Sequence, residues 1–133
     1  MGRPEGQGRL MASIRVLIAD DHRLFAEALE AILADDARIS VVGHASDGSE
    51  AVRLANELHP DVVLMDISMP VMDGIQAVRA IRDTDGDASI LMLTGSNARA
   101  DVDRARQAGA AGYVTKDRIA AELIDAIVEV AEP

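Results

Sequence analysis

Short runs of consecutive apolar residues alternate along this chain with stretches in which apolar residues recur every three or four positions. The runs are Ile14 to Ala19 (IRVLIA), Ile39 to Val42 (ISVV), Val62 to Met65 (VVLM), Ile90 to Leu93 (ILML) and Gly112 to Thr115 (GYVT). Each has the length of a strand. Several are apolar at successive rather than alternate positions, which predicts a sheet covered on both faces, as parallel sheets are. Between the runs the period becomes helical. Leu24, Ala28, Leu29, Ile32 and Leu33 predict the inward stripe of a first helix. A second is expected from Ser49 to Leu58 with Val52, Ala55 and Leu58 inward, stopped at His59-Pro60 because the residue before proline avoids αR. A third carries Ile75, Val78 and Ile81. The fourth, from Ala98 to Ala108, is weakly apolar and heavily charged, so a loosely held, exposed helix is expected there. The fifth, from Arg118 to Ala131, has a firm stripe in Leu123, Ile124, Ile127 and Val128.

Strand and helix in alternation, joined by right-handed crossovers, predict an α/β doubly wound open sheet in three layers over residues 14–131. Residues 1–13 (MGRPEGQGRLMAS) lack an apolar period and are expected to form a disordered tail outside the domain. In such sheets ligands bind beyond the carboxyl ends of the strands. Those ends carry Asp20, Asp21, Asp66, Thr94 and Lys116. Crowded carboxylates repel one another, and a hard divalent cation with oxygen ligands relieves the repulsion, which points to Mg²⁺. An aspartate held beside that cation can attack phosphorus and form an acyl phosphate. Asp66 is the best placed, because it ends the most apolar strand and precedes a turn through Met69-Pro70 and Asp73-Gly74. Mg²⁺, the Lys116 ammonium and the Thr94 hydroxyl would together satisfy the phosphoryl oxygens. Asp35-Asp36 has the same spelling as Asp20-Asp21 but falls at the end of the first helix, where a solvated surface is expected.

Composition narrows the partners. The chain has 133 residues, with 23 acidic against 13 basic side chains and a formal charge of −10, which disfavours direct contact with nucleic acid or anionic membranes. Cysteine is absent, removing disulfides and thiolate chemistry and fitting a reducing compartment, with the cytoplasm as the default. No apolar run approaches the roughly 20 residues that span a bilayer. There is no GxGxxG after the first strand and no GxxxxGK, so nucleotide cofactors are disfavoured. His22, His44 and His59 show no metal-ligand spacing.

The segments IRVLIADDHRLFAEALEAIL, HPDVVLMDISMPVMDGIQAVRAIR and AGAAGYVTKD resemble the CheY-like receiver domains of two-component response regulators. The likeness is to the branch whose members commonly carry a C-terminal helix-turn-helix of the NarL/LuxR type. It implies a flavodoxin-like parallel sheet of order 2-1-3-4-5. It implies that Asp66 is the phosphoacceptor, that Asp21, Asp66 and the Ser68 backbone carbonyl ligate Mg²⁺, and that Asp20 acts largely through a metal-bound water. Lys116 would contact the phosphoryl group, Thr94 would move toward it, and Tyr113 would change between outward and inward rotamers. The fourth helix, fifth strand and fifth helix would present the altered surface. The implied partner is a sensor histidine kinase, with homodimerisation completing a partial shift and DNA reached only through a further domain beyond Pro133. Asp117 follows Lys116 where many receivers have a cis-linked proline. A cis bond without proline costs about 2.5 to 4 kcal/mol, so either the site supports that cost or Lys116 is reached by a trans route.

Two other readings remain open at the level of sequence. A Mg²⁺ phosphohydrolase would use the same aspartyl phosphate but needs a second general acid and a cap over its substrate. A phosphorylation-independent binding module would share the fold without needing the full set of carboxylates, hydroxyl and ammonium. An FMN carrier is remote, since only Tyr113 and Phe25 could stack a flavin.

Overall fold

The computed structural model describes residues 13–67, 74–84, 88–95 and 99–131. The expected tail before Ser13, the Ser68 carbonyl and the Met69-Pro70 turn lie outside the described residues. The elements, in chain order, are β1 (Ile14–Ala19), α1 (Arg23–Ala34), β2 (Ile39–Ala45), α2 (Gly48–Leu58), β3 (Val62–Asp66), α3 (Gly74–Thr84), β4 (Ser89–Thr94), α4 (Arg99–Ala108), β5 (Gly112–Thr115), a 3₁₀ turn (Lys116–Arg118) and α5 (Ile119–Ala131). The strands are all parallel and lie in the order β2-β1-β3-β4-β5.

Strand residues alternate between two separate cores. Leu17, Ala19, Val63, Met65, Ile90 and Met92 pack on α2, α3 and α4 through Ala51, Ala55, Ala77, Val78, Ile81, Ala105 and Ala108. Val16, Ile18, Val62, Leu64, Leu91, Leu93 and Val114 face the opposite way, onto Leu29 and Leu33 of α1 and Leu123 and Ile127 of α5. Burial of both faces is the reason these strands read as continuous apolar runs.

Three local readings are corrected. The inward face of α1 is Ala26, Leu29 and Leu33 with Ile32 and Phe25 at its edges, whereas Leu24 is 81% exposed and Ala28 is exposed. Strand β2 continues three residues beyond Val42, to Ala45. Val16 pairs with Val41 and Leu17 with Gly43, so Val42 is an extra residue, a bulge rather than a strand end. Gly43 lies inside the strand in a crowded place, where a Cβ would lie 2.9 Å from Leu58 Cδ1 and 3.2 Å from Leu17 Cδ1. In α5, Ile119 joins Leu123 and Ile127 as the buried row, and Val128 lies beside it, half-buried. Helix α2 ends as expected, with His59 leaving αR for the left-handed region at φ 49° before Pro60. Helix α4 is held on the sheet by two alanines, Ala105 and Ala108.

Candidate functional site

The backbone ladders run on past the strand ends and carry the acidic residues with them. The Asp20 amide donates to the Ala45 carbonyl at 2.9 Å, and the Ile67 amide donates to the Leu93 carbonyl at 3.1 Å, so Asp20 and Asp66 are both held by the sheet. Asp66 pairs with Leu93, and Thr94 pairs with Thr115, the residue before Lys116. Parallel register thus brings the ends of β1, β3, β4 and β5 to one edge.

Asp20 and Asp66 are wholly buried and Thr94 is 2% exposed. Asp21 stands at the rim. One ligand atom from each of Asp20, Asp21, His22 and Asp66 lies within 4.8 Å of all the others. His22, next to Asp21 in the chain, adjoins the carboxylates at the rim: its Nδ1 is 3.1 Å from Asp21 Oδ1 and 3.5 Å from Asp20 Oδ1, while the side chain is largely exposed. The Asp20 Oδ1 atom accepts the His22 amide at 2.7 Å, at the N-cap of α1, which has no side-chain cap of its own. His44 from β2 brings Nε2 to 3.1 Å from the Asp20 carbonyl.

Lys116 supplies the opposing charge. Its Nζ donates to Asp66 Oδ2 at 3.3 Å and lies 4.9 Å from the centroid of the Phe25 ring. Among the described residues there is no cis peptide, so Lys116 reaches Asp66 by the trans route. Tyr113 is 37% exposed and turned outward, with the Arg106 guanidinium carbon 5.9 Å from its ring centroid.

The electrostatics are unbalanced. Two unit charges about 4.8 Å apart repel by about 3 to 4 kcal/mol at an effective dielectric near 20, and water at Asp21 lowers that figure. One ammonium does not offset three mutually repelling carboxylates. Burial raises the Asp20 carboxyl above its ordinary value; the His22 amide opposes the rise, the Asp66 charge adds to it, and the Lys116 ammonium opposes it. Asp20 Oδ2 is buried without a hydrogen-bond partner among the described residues. An orphaned carboxylate oxygen beside two further carboxylates fits a small hard cation.

Sequence reasoning named Asp20, Asp21, Asp66, Thr94 and Lys116, and the structure brings all of them to the same edge of the sheet. It missed His44 and Phe25. No spacing rule marks His44, while Phe25, the only phenylalanine in the chain, sits in the first turn of α1 just after the acidic pair.

The sequence profile of the response regulator receiver domain matches residues 16–128. The chain belongs to that family. Among curated relatives, the transcriptional regulatory protein LiaR of Bacillus subtilis is 47% identical over 114 residues, covering 86% of this chain and 54% of LiaR. Among solved structures, the signal receiver domain of the response regulator NarL from Mycobacterium tuberculosis is 36% identical with a TM-score of 0.87, covering 91% of this chain and 98% of that one. CheY of Borrelia burgdorferi, solved in complex with CheX, BeF₃ and Mg²⁺, is 26% identical with a TM-score of 0.85, covering 92% of each chain. The relatives place this receiver domain in the NarL/LuxR-type branch of signalling response regulators. The receiver domain spans about half the length of the curated relatives it matches. Its described residues form no helix long and apolar enough to cross a membrane.

Proposed function

We propose that this receiver domain accepts a phosphoryl group on Asp66 from a sensor histidine kinase in the cytoplasm, and that phosphorylation changes the surface formed by α4, β5 and α5. A carboxylate oxygen of Asp66 attacks phosphorus, the bond from phosphorus to the donor breaks, and an acyl phosphate forms on Asp66. Asp20, Asp21 and Asp66 would hold Mg²⁺, with the Ser68 carbonyl as the expected further ligand. When bound, Mg²⁺ supplies positive charge that offsets the carboxylates and the incoming phosphoryl oxygens. The observation that carries this reading is the Lys116 ammonium 3.3 Å from the buried Asp66, beside the partnerless Asp20 oxygen.

The response to phosphorylation uses the chain's own groups. Lys116 transfers its hydrogen bond from Asp66 to a phosphoryl oxygen, a charge-assisted contact. The Thr94 hydroxyl, at the end of the adjacent strand, donates to another, and Tyr113 leaves its place beside Arg106 for the space behind Thr94. A cavity of about 750 Å³ bordered by Gly95, Tyr113, Asp117 and Glu122 flanks β5 and the start of α5, on the surface that would change. Moving a two-state equilibrium from 1:99 to 99:1 takes about 5.5 kcal/mol, and homodimerisation would complete a shift that the phosphoryl contacts supply only in part. Output would be transcription, through a C-terminal helix-turn-helix domain that contacts DNA. The domain catalyses only its own phosphorylation and dephosphorylation.

Intact mass after exposure to acetyl phosphate tests the reading. One phosphoryl adduct is expected with Mg²⁺, and none without Mg²⁺ or in Asp66→Asn. An adduct that survives in Asp66→Asn would overturn the assignment.

A further inference from the structure

The Lys116 ammonium has two neighbours of different kinds. On one side is the Asp66 carboxylate at 3.3 Å, and on the other is the Phe25 ring, whose centroid lies 4.9 Å away. Lysine is a flexible four-carbon stem carrying a strongly hydrated point charge. Left to solvent, that charge would sample many rotamers, and Lys116 is already 29% exposed. An aromatic face attracts the cation through its quadrupole. It accepts no charge and takes no full hydrogen bond, so the ammonium's protons stay available to oxygen. Phe25 is itself fixed: it is half-buried, packed against the core that includes Leu29, Leu33 and Leu123. The β1–α1 junction therefore delivers two things from one short segment, the carboxylates Asp20 and Asp21 and, in the first turn of α1, the ring that backs the lysine.

We propose that Phe25 is a positioning residue for Lys116, its ring holding the ammonium at Asp66 so that a phosphoryl group meets an already oriented cation. This rests on the phosphoacceptor reading of the site and adds to it a residue that touches neither phosphoryl group nor metal.

The test uses fluoroberyllate with Mg²⁺ as the phosphoryl probe, monitored by NMR. Phe25→Leu and Phe25→Met retain apolar volume and remove the ring; Phe25→Tyr retains the ring. The leucine and methionine variants are expected to weaken fluoroberyllate binding about two- to fivefold, the range of a solvent-accessible cation–π contact, and the tyrosine variant to restore it. In Lys116→Ala, the same Phe25→Leu change is expected to have no further effect. A loss of equal size in that background would make Phe25 a packing residue and overturn the proposal, as would wild-type affinity in both ring-less variants. Ring-current displacement of the Lys116 ε-methylene resonances reads the contact without any phosphoryl probe. It should vanish in Phe25→Leu, and its absence from the wild type would also overturn the proposal. Fluoroberyllate binding that persists in Asp66→Asn would instead reject the site reading, and this proposal with it.

Discussion

At the scale of single residues, the same pair of letters has two fates. Asp20-Asp21 enters the acidic cluster, while in Asp35-Asp36 the second residue is captured by Arg38. The Arg38 guanidinium donates to both carboxylate oxygens of Asp36, at 3.0 and 2.7 Å, and its amide donates at 2.9 Å. Those hydrogen bonds hold the Asp36 carboxyl at about 2 against an ordinary 3.8. A lowered folded-state value means the pair stabilises the fold fully above the unfolded value and loses that contribution as pH falls from about 3.8 toward about 2. An NMR titration should find the Asp36 midpoint near 2, and Arg38→Ala should return it toward 3.8. At the rim of the site, Asp21→Ala should weaken Mg²⁺ binding and suppress acetyl phosphate labelling although Asp66 remains; undiminished labelling would remove Asp21 from the cation site. Asp66 and Lys116 were legible because each ends or follows a strand. Phe25 was not, because a ring behind a lysine is a contact across 91 positions of sequence, which no local pattern encodes.

At the scale of elements, periodicity located the helices but misjudged the phase of one. Leu24 and Leu33 are nine positions apart, and at about 100° per residue that places them on opposite sides of a helix. The apolar stripe of α1 could accommodate only one of them, and packing against the sheet selected Leu33. Leu29→Ala should therefore cost about 2 to 5 kcal/mol in urea denaturation, while Leu24→Gln should change stability by no more than about 0.5 kcal/mol. A large loss in Leu24→Gln would show that the exposed leucine is covered in solution. Helix α2 begins on a reciprocal cap: Asp47 Oδ1 accepts the Glu50 amide at 2.8 Å, and the Glu50 side chain accepts the Ser46 amide at 2.7 Å. Asp47→Ala should cost about 1 kcal/mol, measured the same way. The apolar run that marked β2 stops at Val42, but the strand goes on through Gly43, a strand residue after a bulge whose missing side chain lets Leu58 approach.

At the scale of the whole molecule, the site exists only because four parallel strands end at one edge, and it carries an electrostatic cost that the two cores support. Asp20→Asn should therefore raise stability in the absence of Mg²⁺, since it removes a buried charge while leaving an oxygen for the His22 amide. Mg²⁺ at about 100 times its Kd should stabilise the wild type by about 2.7 kcal/mol, and this gain should be lost in Asp20→Asn. Equal Mg²⁺ stabilisation in both would place the cation elsewhere. The chain's order of apolar runs and amphipathic stretches was enough to determine the doubly wound class, the five strands and the chemical types at their ends, because strand and helix periods are local properties of the chain. Tertiary structure alone decided which face of α1 turns inward, that His44 reaches the Asp20 carbonyl, and that Phe25 backs Lys116. Those outcomes depend on distances between segments far apart in sequence, and packing sets such distances only once the sheet has assembled.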